Sequence, residues 1–290
     1  MRDALHVQPF FHDATGTWTY VVERGGDAVV IDPVLDYDPR SGALDDSSIA
    51  RVLAHVRERG LRVQRVLETH AHADHLSAAQ LVRAQTDAPV GIGAGIASVQ
   101  AHFAKVFGID AGELAHAFDA TFSDGERIDA GALRFEVMAT PGHTSDSLSY
   151  AIDGNVFVGD TLFAPDVGTA RCDFPGGSID ALHASIQRLY AMPDDTVLWL
   201  CHDYPPQDRG KRASVTVGEQ KRDNRMLDGA TTLDEFRERR SARDAALPAP
   251  NLLYPSLQVN IRGGRLPPPD ADGRRYLVTP LKHARLPDIA

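Results

Sequence analysis

The segment Thr69-His70-Ala71-His72-Ala73-Asp74-His75 puts three histidines and an aspartate within six consecutive positions, directly after a strand-like run over 63–68. Imidazole and carboxylate are side chains that hold zinc and iron ions. On an extended chain alternate residues share a face, so His70 and His72 can point together, while Asp74 and His75 fall where the chain turns into the next helix. A solvated polar loop is the alternative, but it does not account for this density of ligand types even in a chain with 12 histidines. Three further apolar runs end in a similar way. The run over 133–139 leads into Thr140-Pro141-Gly142-His143-Thr144, that over 156–158 into Gly159-Asp160-Thr161, and that over 196–200 into Cys201-His202-Asp203. A single histidine after a strand is more often a hydrogen-bonded structural residue. Four strand ends that offer His or Asp, gathered by one fold, make a metal pocket, and loops at strand ends are where scaffolds place function.

The elements that must gather those ends are readable in outline. Residues 18–22 and 28–31 are strand-like runs joined by the turn sequence Glu23-Arg24-Gly25-Gly26-Asp27. Asp32-Pro33 ends the second run, because proline lacks a donor and aspartate favours turns. A polar stretch over 36–48 precedes a helix over 49–59, whose Ile49, Val52, Leu53 and Val56 recur at helical spacing. Asp45, Asp46 and Ser47 are its candidate caps and Gly60 its stop. The pattern further predicts a helix over 76–84, a hairpin around 122–131 ahead of the strand over 133–139, and a second hairpin through Asp153-Gly154-Asn155. After these come a helix over 179–190, a strand over 196–200, a polar helix over 218–225, and a charged helix over 232–243 capped near Thr231 or Thr232. From Pro248 the chain reads as Pro-rich and extended. Hairpin-connected strands alternating with helices, without an internal repeat, favour an α+β fold of two packed mixed sheets with helices outside, an αββα layering, over a doubly wound parallel sheet.

The 290 residues, 43% hydrophobic and 24% charged, have globular composition and are enough for one large domain or two small ones. The expected division is a catalytic domain over 1–245 with a Pro-rich C-terminal extension over 246–290 packed on it. No run approaches the roughly 20 apolar residues of a membrane helix, and the start has no apolar signal core. Two cysteines, Cys172 and Cys201, make no disulfide framework, so a reducing cytoplasm is the expected compartment. Thirty Lys and Arg against 40 Asp and Glu give a net charge of −10, which argues against a nucleic-acid partner but leaves room for a local basic pocket.

Taken in order, THAHADH, the Pro-Gly-His-Thr segment, Gly159-Asp160 and Cys201-His202 resemble the metallo-β-lactamase superfamily over most of the first 205 residues. The resemblance implies an αββα sandwich with a metal site at one edge. In the hydrolytic members, His70, His72 and His143 match the ligands of one metal, Asp74, His75 and His202 those of a second, and Asp160 the bridge between them. A narrower resemblance is to the persulfide dioxygenases. It is carried by Gly168-Thr169-Ala170-Arg171-Cys172-Asp173-Phe174-Pro175-Gly176-Gly177, by Cys201-His202-Asp203-Tyr204 and by Leu257-Gln258-Val259-Asn260-Ile261-Arg262. It implies one Fe(II) per chain held by His70, His143 and Asp160, the two-His, one-carboxylate triad of non-heme iron oxygenases. His72, Asp74, His75 and His202 would then orient ligands and hydrogen-bond around them. The same resemblance implies glutathione persulfide and dioxygen as partners and a homodimer, while the acidic charge and the lack of a long apolar run give no nucleic acid and no membrane.

On the substrate side, Arg171 and Tyr204 match substrate-contacting positions of that family. Lys221, Arg222 and Arg225 offer cations for glutathione carboxylates, a solvated helix face being the other reading of those three. Cys201 reads as a buried small hydrophobe and Cys172 as a pocket-facing thiol open to persulfide. Three functions compete. The first is oxidation of glutathione persulfide by dioxygen and water to glutathione and sulfite. The second is glyoxalase II-like hydrolysis of a glutathione thioester at two zinc ions. The third is non-catalytic binding or sensing of persulfide. The intact ligand set speaks against the third, and the lack of an obvious C-terminal helical substrate domain against the second.

Overall fold

The structure, a computed structural model, describes residues 3–281. Strands β1 (His6–His12), β2 (Thr17–Arg24) and β3 (Asp27–Ile31) form an antiparallel meander. Gly25 and Gly26, at φ 58° and 84°, take the left-handed backbone that the tight β2–β3 turn requires. The polar stretch after β3 is itself a hairpin, β4 (Val34–Asp38) and β5 (Ala43–Asp45), followed by helix α1 (Ser47–Glu58). Then come β6 (Arg62–Leu67), the short β7 (Leu76–Ser77) on β4, α2 (Ala79–Thr86), β8 (Val90–Gly93), α3 (Ile96–Phe107), α4 (Ala111–Leu114) and β9 (Ala120–Phe122). The first sheet runs β1-β2-β3-β6-β8-β9, with its last three junctions parallel.

The second sheet has the order of the chain: β10 (Arg127–Ala130), β11 (Leu133–Ala139), β12 (Leu148–Ile152), β13 (Asn155–Phe157), β14 (Val197–Trp199) and β15 (Ser214–Thr216). Helix α5 (Ile179–Tyr190) makes the crossover between the parallel strands β13 and β14. Helices α6 (Val217–Asp223), α7 (Leu233–Ala246) and α8 (Leu253–Asn260) follow.

Period-two alternation decides the layers. On β2 and β3, Val21, Ala28 and Val30 pack against Ile49, Val52, Leu53 and Val56 of α1 and Val82 of α2. Their neighbours Val22, Val29 and Ile31 point the other way, into a core shared with Phe135, Val137, Tyr150 and Phe157 of the second sheet. The far face of that sheet buries Val156 and Leu198 under Leu182, Ile186 and Leu189 of α5 and Phe236 of α7. The result is helix, sheet, sheet, helix, as the hairpins and helical periodicity suggested. The caps follow local chemistry. Ser178 accepts from Ala181 N–H to open α5, and Thr232 with Glu235 forms a capping box at the start of α7.

Three sequence expectations need correction. The hairpin expected over 122–131 lies further on, because β9 joins the first sheet while β10 pairs with β11. The end of the chain is not extended throughout, since 253–260 is helical, and Leu257, Val259 and Ile261 are fully buried. Pro255 sits in the first turn of α8, where a missing N–H leaves no intrahelical bond broken. The helix expected over 76–84 begins only at Ala79, because Leu76 and Ser77 first pair with β4.

The loop between β11 and β12 carries His143, and Gly142 fixes its path. Gly142 has φ +143°, and a Cβ there would lie 2.3 Å from the backbone N and Cα of Leu182 in α5. Substituting Gly142→Ala is expected to destabilise the fold by about 3 kcal/mol or more through overpacking and backbone strain. A denaturant unfolding curve indistinguishable from that of the parent protein would contradict this close approach.

Candidate metal centre

Strands β11 and β13 both run antiparallel to β12, and β14 runs parallel to β13, so the C-terminal ends of β11, β13 and β14 leave the second sheet on one edge. His143, Asp160 and His202 follow those ends, and the Glu68–His75 segment after β6 brings the remaining ligand types from the first sheet. That segment has no regular backbone ladder, yet His70, His72 and His75 are each at most 1% exposed. A buried irregular backbone must find its hydrogen bonds elsewhere, and three side chains provide them. Asp32, at the end of β3, accepts from Thr69 N–H (2.7 Å) and from the Thr69 hydroxyl (3.0 Å). Asp146 accepts from Ala71 N–H (2.8 Å). Asn260, at the end of α8, donates to the carbonyls of His72 and His75 (2.8 Å each) and accepts from Ser77 N–H (2.8 Å).

The ligand types gather in overlapping groups, two of which hold the residues predicted from sequence; the others join Cys201 to Asp32 and His72 and to Asp160 and His202. One ligand atom each from His70, His143 and Asp160 lies within 4.8 Å of the other two, and the same holds for His72, Asp74, His75 and His202. Asp160 stands between the groups. Its Oδ2 is 3.9 Å from His70 Nε2 and 3.7 Å from His143 Nε2, and its Oδ1 is 3.4 Å from His202 Nε2. His202 Nε2 is also 3.3 Å from Asp74 Oδ2. Ligand atoms about 2.1 Å from an ion lie about 3–4 Å from one another, so these separations suit metal binding.

Donor chemistry fits as well. His70 Nε2, His72 Nδ1, His75 Nε2, His202 Nε2 and Asp160 Oδ1 are buried and find no hydrogen-bond partner among the described residues. Such orphaned polar atoms are costly unless something not made of protein satisfies them. Opposite ring nitrogens are anchored: His143 Nδ1 donates to the Arg171 carbonyl (2.8 Å), and His72 Nε2 donates to Asp32 Oδ1 (3.1 Å). This leaves His143 Nε2 and His72 Nδ1 as acceptors facing the centre. Burial, with help from neighbouring histidines, holds His70 and His72 well below the usual imidazole pKa, so both are neutral and able to ligate.

The centre opens into a cavity of about 1140 Å³ lined by Asp74, His75, His143, Asp160, Arg171, Tyr204 and Arg225, among others. Arg171 reaches the cavity, but its guanidinium is committed to Asp173 (2.6 and 2.7 Å) and to the Pro248 carbonyl (2.6 Å), so its backbone carbonyl acts on His143. Tyr204 stacks on His202 with ring centroids 5.8 Å apart and planes 4° apart. Arg225 donates to the Asp166 carbonyl (3.1 Å). Lys221 is placed apart from the cavity, paired with Asp194 at 2.7 Å, and Arg222 is likewise not among the lining residues. Residues four apart share a face only while the helix lasts, and α6 ends at Asp223 with Asn224 extended, so Arg225 departs from the direction of Lys221. Cys201 is buried, as expected of a small hydrophobe. Cys172 is also buried, and burial followed by the nearby Asp244 pushes its thiol up to about 12, which removes the thiolate a persulfide reaction needs.

Sequence reasoning did not single out Asp32, Asp146 or Asn260. Asp32 carried a usable signal, since it too follows an apolar strand, but Asp-Pro there reads as a turn. Asn260 lay within a segment quoted only for its resemblance.

Comparison with known proteins now bears on the centre. Residues 12–202 match the family model described as the metallo-beta-lactamase superfamily. The chain is 45% identical over 280 residues to a "Beta-lactamase hydrolase-like protein" of Xylella fastidiosa, covering 95% of this chain and 64% of that protein. It thus spans just under two thirds of that relative's length. It is 40% identical to "Glyoxylase B2" of Dictyostelium discoideum, covering 97% and 98% of the two chains. Among solved structures, ETHE1 from Myxococcus xanthus superposes with a TM-score of 0.72 at 30% identity, covering 90% of this chain and all of that one. The human protein named persulfide dioxygenase ETHE1 is 28% identical over 203 residues, 68% of each chain.

Asp32 braces the ligand loop by accepting from His72 Nε2 and from Thr69. Replacing it by Asn is expected to weaken metal affinity by about 10–100-fold through loss of His72 and Thr69 positioning. Equilibrium metal titration giving the parent affinity would show that the loop holds itself.

Proposed function

The chain belongs to the metallo-beta-lactamase superfamily, and from that premise we propose that it is a non-heme iron dioxygenase acting on a low-molecular-weight persulfide, glutathione persulfide in the first instance. The observation that carries this reading is the separation of His70, His143 and Asp160 into a two-His, one-carboxylate group bordering the cavity. Three ligands on one side of an ion leave about three octahedral positions for a substrate and dioxygen. The likeness to the Myxococcus xanthus ETHE1 structure and to the human persulfide dioxygenase supports the same reading. The balanced reaction is glutathione persulfide, dioxygen and water giving glutathione, sulfite and two protons.

Bound by His70, His143 and Asp160, Fe(II) would supply the redox chemistry that joins persulfide sulfur to dioxygen. The chain's own contribution is positional. The Arg171 carbonyl fixes the His143 ring by accepting from Nδ1. His202 is held between Asp74 and Asp160, and Tyr204 and Phe163 pack on its ring. Arg225 gives the cavity a cation suited to a substrate carboxylate.

A second reading has an observation of its own. His72, Asp74, His75 and His202 form a further metal-competent group, with Asp160 placed to bridge the two, and this suits a dinuclear thioester hydrolase. The name of the Dictyostelium relative points the same way.

Protein purified without oxygen is expected to carry about one iron per chain, as a facial triad holds a single ion. It should consume dioxygen and release sulfite when given glutathione persulfide, and His143→Ala or Asp160→Ala should abolish both the iron and the uptake. About two zinc ions per chain, with thioester cleavage and no gas uptake, would overturn the proposal in favour of the hydrolase.

A further inference from the structure

Four arginines line the same cavity as Asp74, His143 and Asp160: Arg171, Arg225, Arg240 and Arg243. Two are neutralised within the fold. Arg171 forms the two-pronged pair with Asp173. Arg240, fully buried, pairs with Asp244 at 2.6 Å and donates to the Thr169 carbonyl at 3.0 Å. The other two are not. Arg225 meets only the Asp166 carbonyl, and Arg243, partly buried on the last turn of α7, makes no hydrogen bond and no ion pair among the described residues.

Resting on the dioxygenase reading for its substrate class, we propose that Arg243 and Arg225 form an anion subsite on the cavity wall, which selects thiol carriers bearing a carboxylate or phosphate away from the sulfur. A guanidinium held among other guanidiniums is unfavourable unless a counter-charge completes it. Burial, then the Arg240 and Arg225 charges, lowers the Arg243 pKa from the ordinary arginine value against the opposing pull of Asp244, which is itself paired with Arg240, and a bound anion would relieve that crowding. The helix C-terminus also favours a cation at 243, but that effect requires neither partial burial nor two neighbouring guanidiniums. The mounting is firm: α7 opens with a capping box and is anchored by Phe236 and Arg240, both fully buried and the latter one turn before Arg243. The planar fork of arginine matches carboxylate and phosphate oxygens in pairs, which lysine cannot do. Of the acidic groups on the cavity lining, Asp36, Asp38 and Asp45 come from the β4–β5 hairpin, Asp74 and Asp160 belong to the metal centre, and Asp166 lies on the loop whose carbonyl Arg225 meets, whereas Arg225, Arg240 and Arg243 come from α7 and the segment just after α6.

The test is calorimetric binding of glutathione, and separately of coenzyme A, to the metal-loaded protein and to its Arg243→Gln, Arg243→Lys and Arg225→Gln variants. Melting temperature and metal content serve as controls. The parent protein is expected to bind at least one of the two, and which one distinguishes carboxylate from phosphate. Each Gln variant should bind that thiol about tenfold more weakly, as loss of a charge-assisted contact predicts. Arg243→Lys should recover part of the loss. Equal affinity in parent and Arg243→Gln, or no binding of either thiol by the parent, overturns the subsite. This measurement reads association and not turnover. Failure of the dioxygenase reading would appear separately, as absent oxygen uptake by a protein that still binds the thiol through Arg243.

Discussion

The structure depends on keeping buried ligand atoms unpaired. Imidazole nitrogens from His70, His72, His75 and His202 and a carboxylate oxygen from Asp160 are buried and make no hydrogen bond among the described residues. Each would cost about 1–3 kcal/mol if it stayed unsatisfied, so the arrangement makes physical sense only around a cation. Everything nearby serves that condition. The ring nitrogens away from the centre are tied to carbonyls, hydroxyls or carboxylates, and the irregular loop that carries three of the histidines is pinned by Asp32, Asp146 and Asn260.

The pinning residues come from distant parts of the chain, and this couples the site to the fold. Asp32 ends β3 in the first sheet, Asp146 precedes β12 in the second, and Asn260 closes α8 beyond both. A sandwich that lost its layering would lose all three anchors together. The C-terminal helix is therefore part of the metal loop's support, and its Leu257 and Ile261 share a hydrophobic cluster with Ala71 and Ala73 of that loop. Among the described residues, Asp160 is the carboxylate in reach of both donor groups, so the ligand inventory alone does not choose between one ion and two.

Much of this was legible in the sequence because it was local. The apolar spacing of Ile49, Val52, Leu53 and Val56 fixed a helix face, and four apolar runs ending in His or Asp marked the strand tips that the fold gathers. Where sequence reasoning fell short, the missing information was long-range. Asn260 acts on residues more than 180 positions away, and nothing in its neighbours signals that. The prolines after 247 suggested an extended tail, whereas Pro255 opens a buried helix. The sequence pattern puts Lys221 and Arg225 on one polar helix over 218–225, but the helix stops between them. Arg243 read as one more charge on a charged helix, and only the cavity shows which guanidiniums lack partners.

On the proposed reading, His70, His143 and Asp160 together grip a single redox-active ion. Anomalous diffraction at the iron edge from crystals grown without oxygen tests it most directly. One iron peak is expected about 2.0–2.2 Å from His70 Nε2, His143 Nε2 and an Asp160 oxygen, taking imidazole and carboxylate bond lengths as the guide. Two metal peaks sharing Asp160, or a single peak seated among His72, Asp74, His75 and His202, would contradict it.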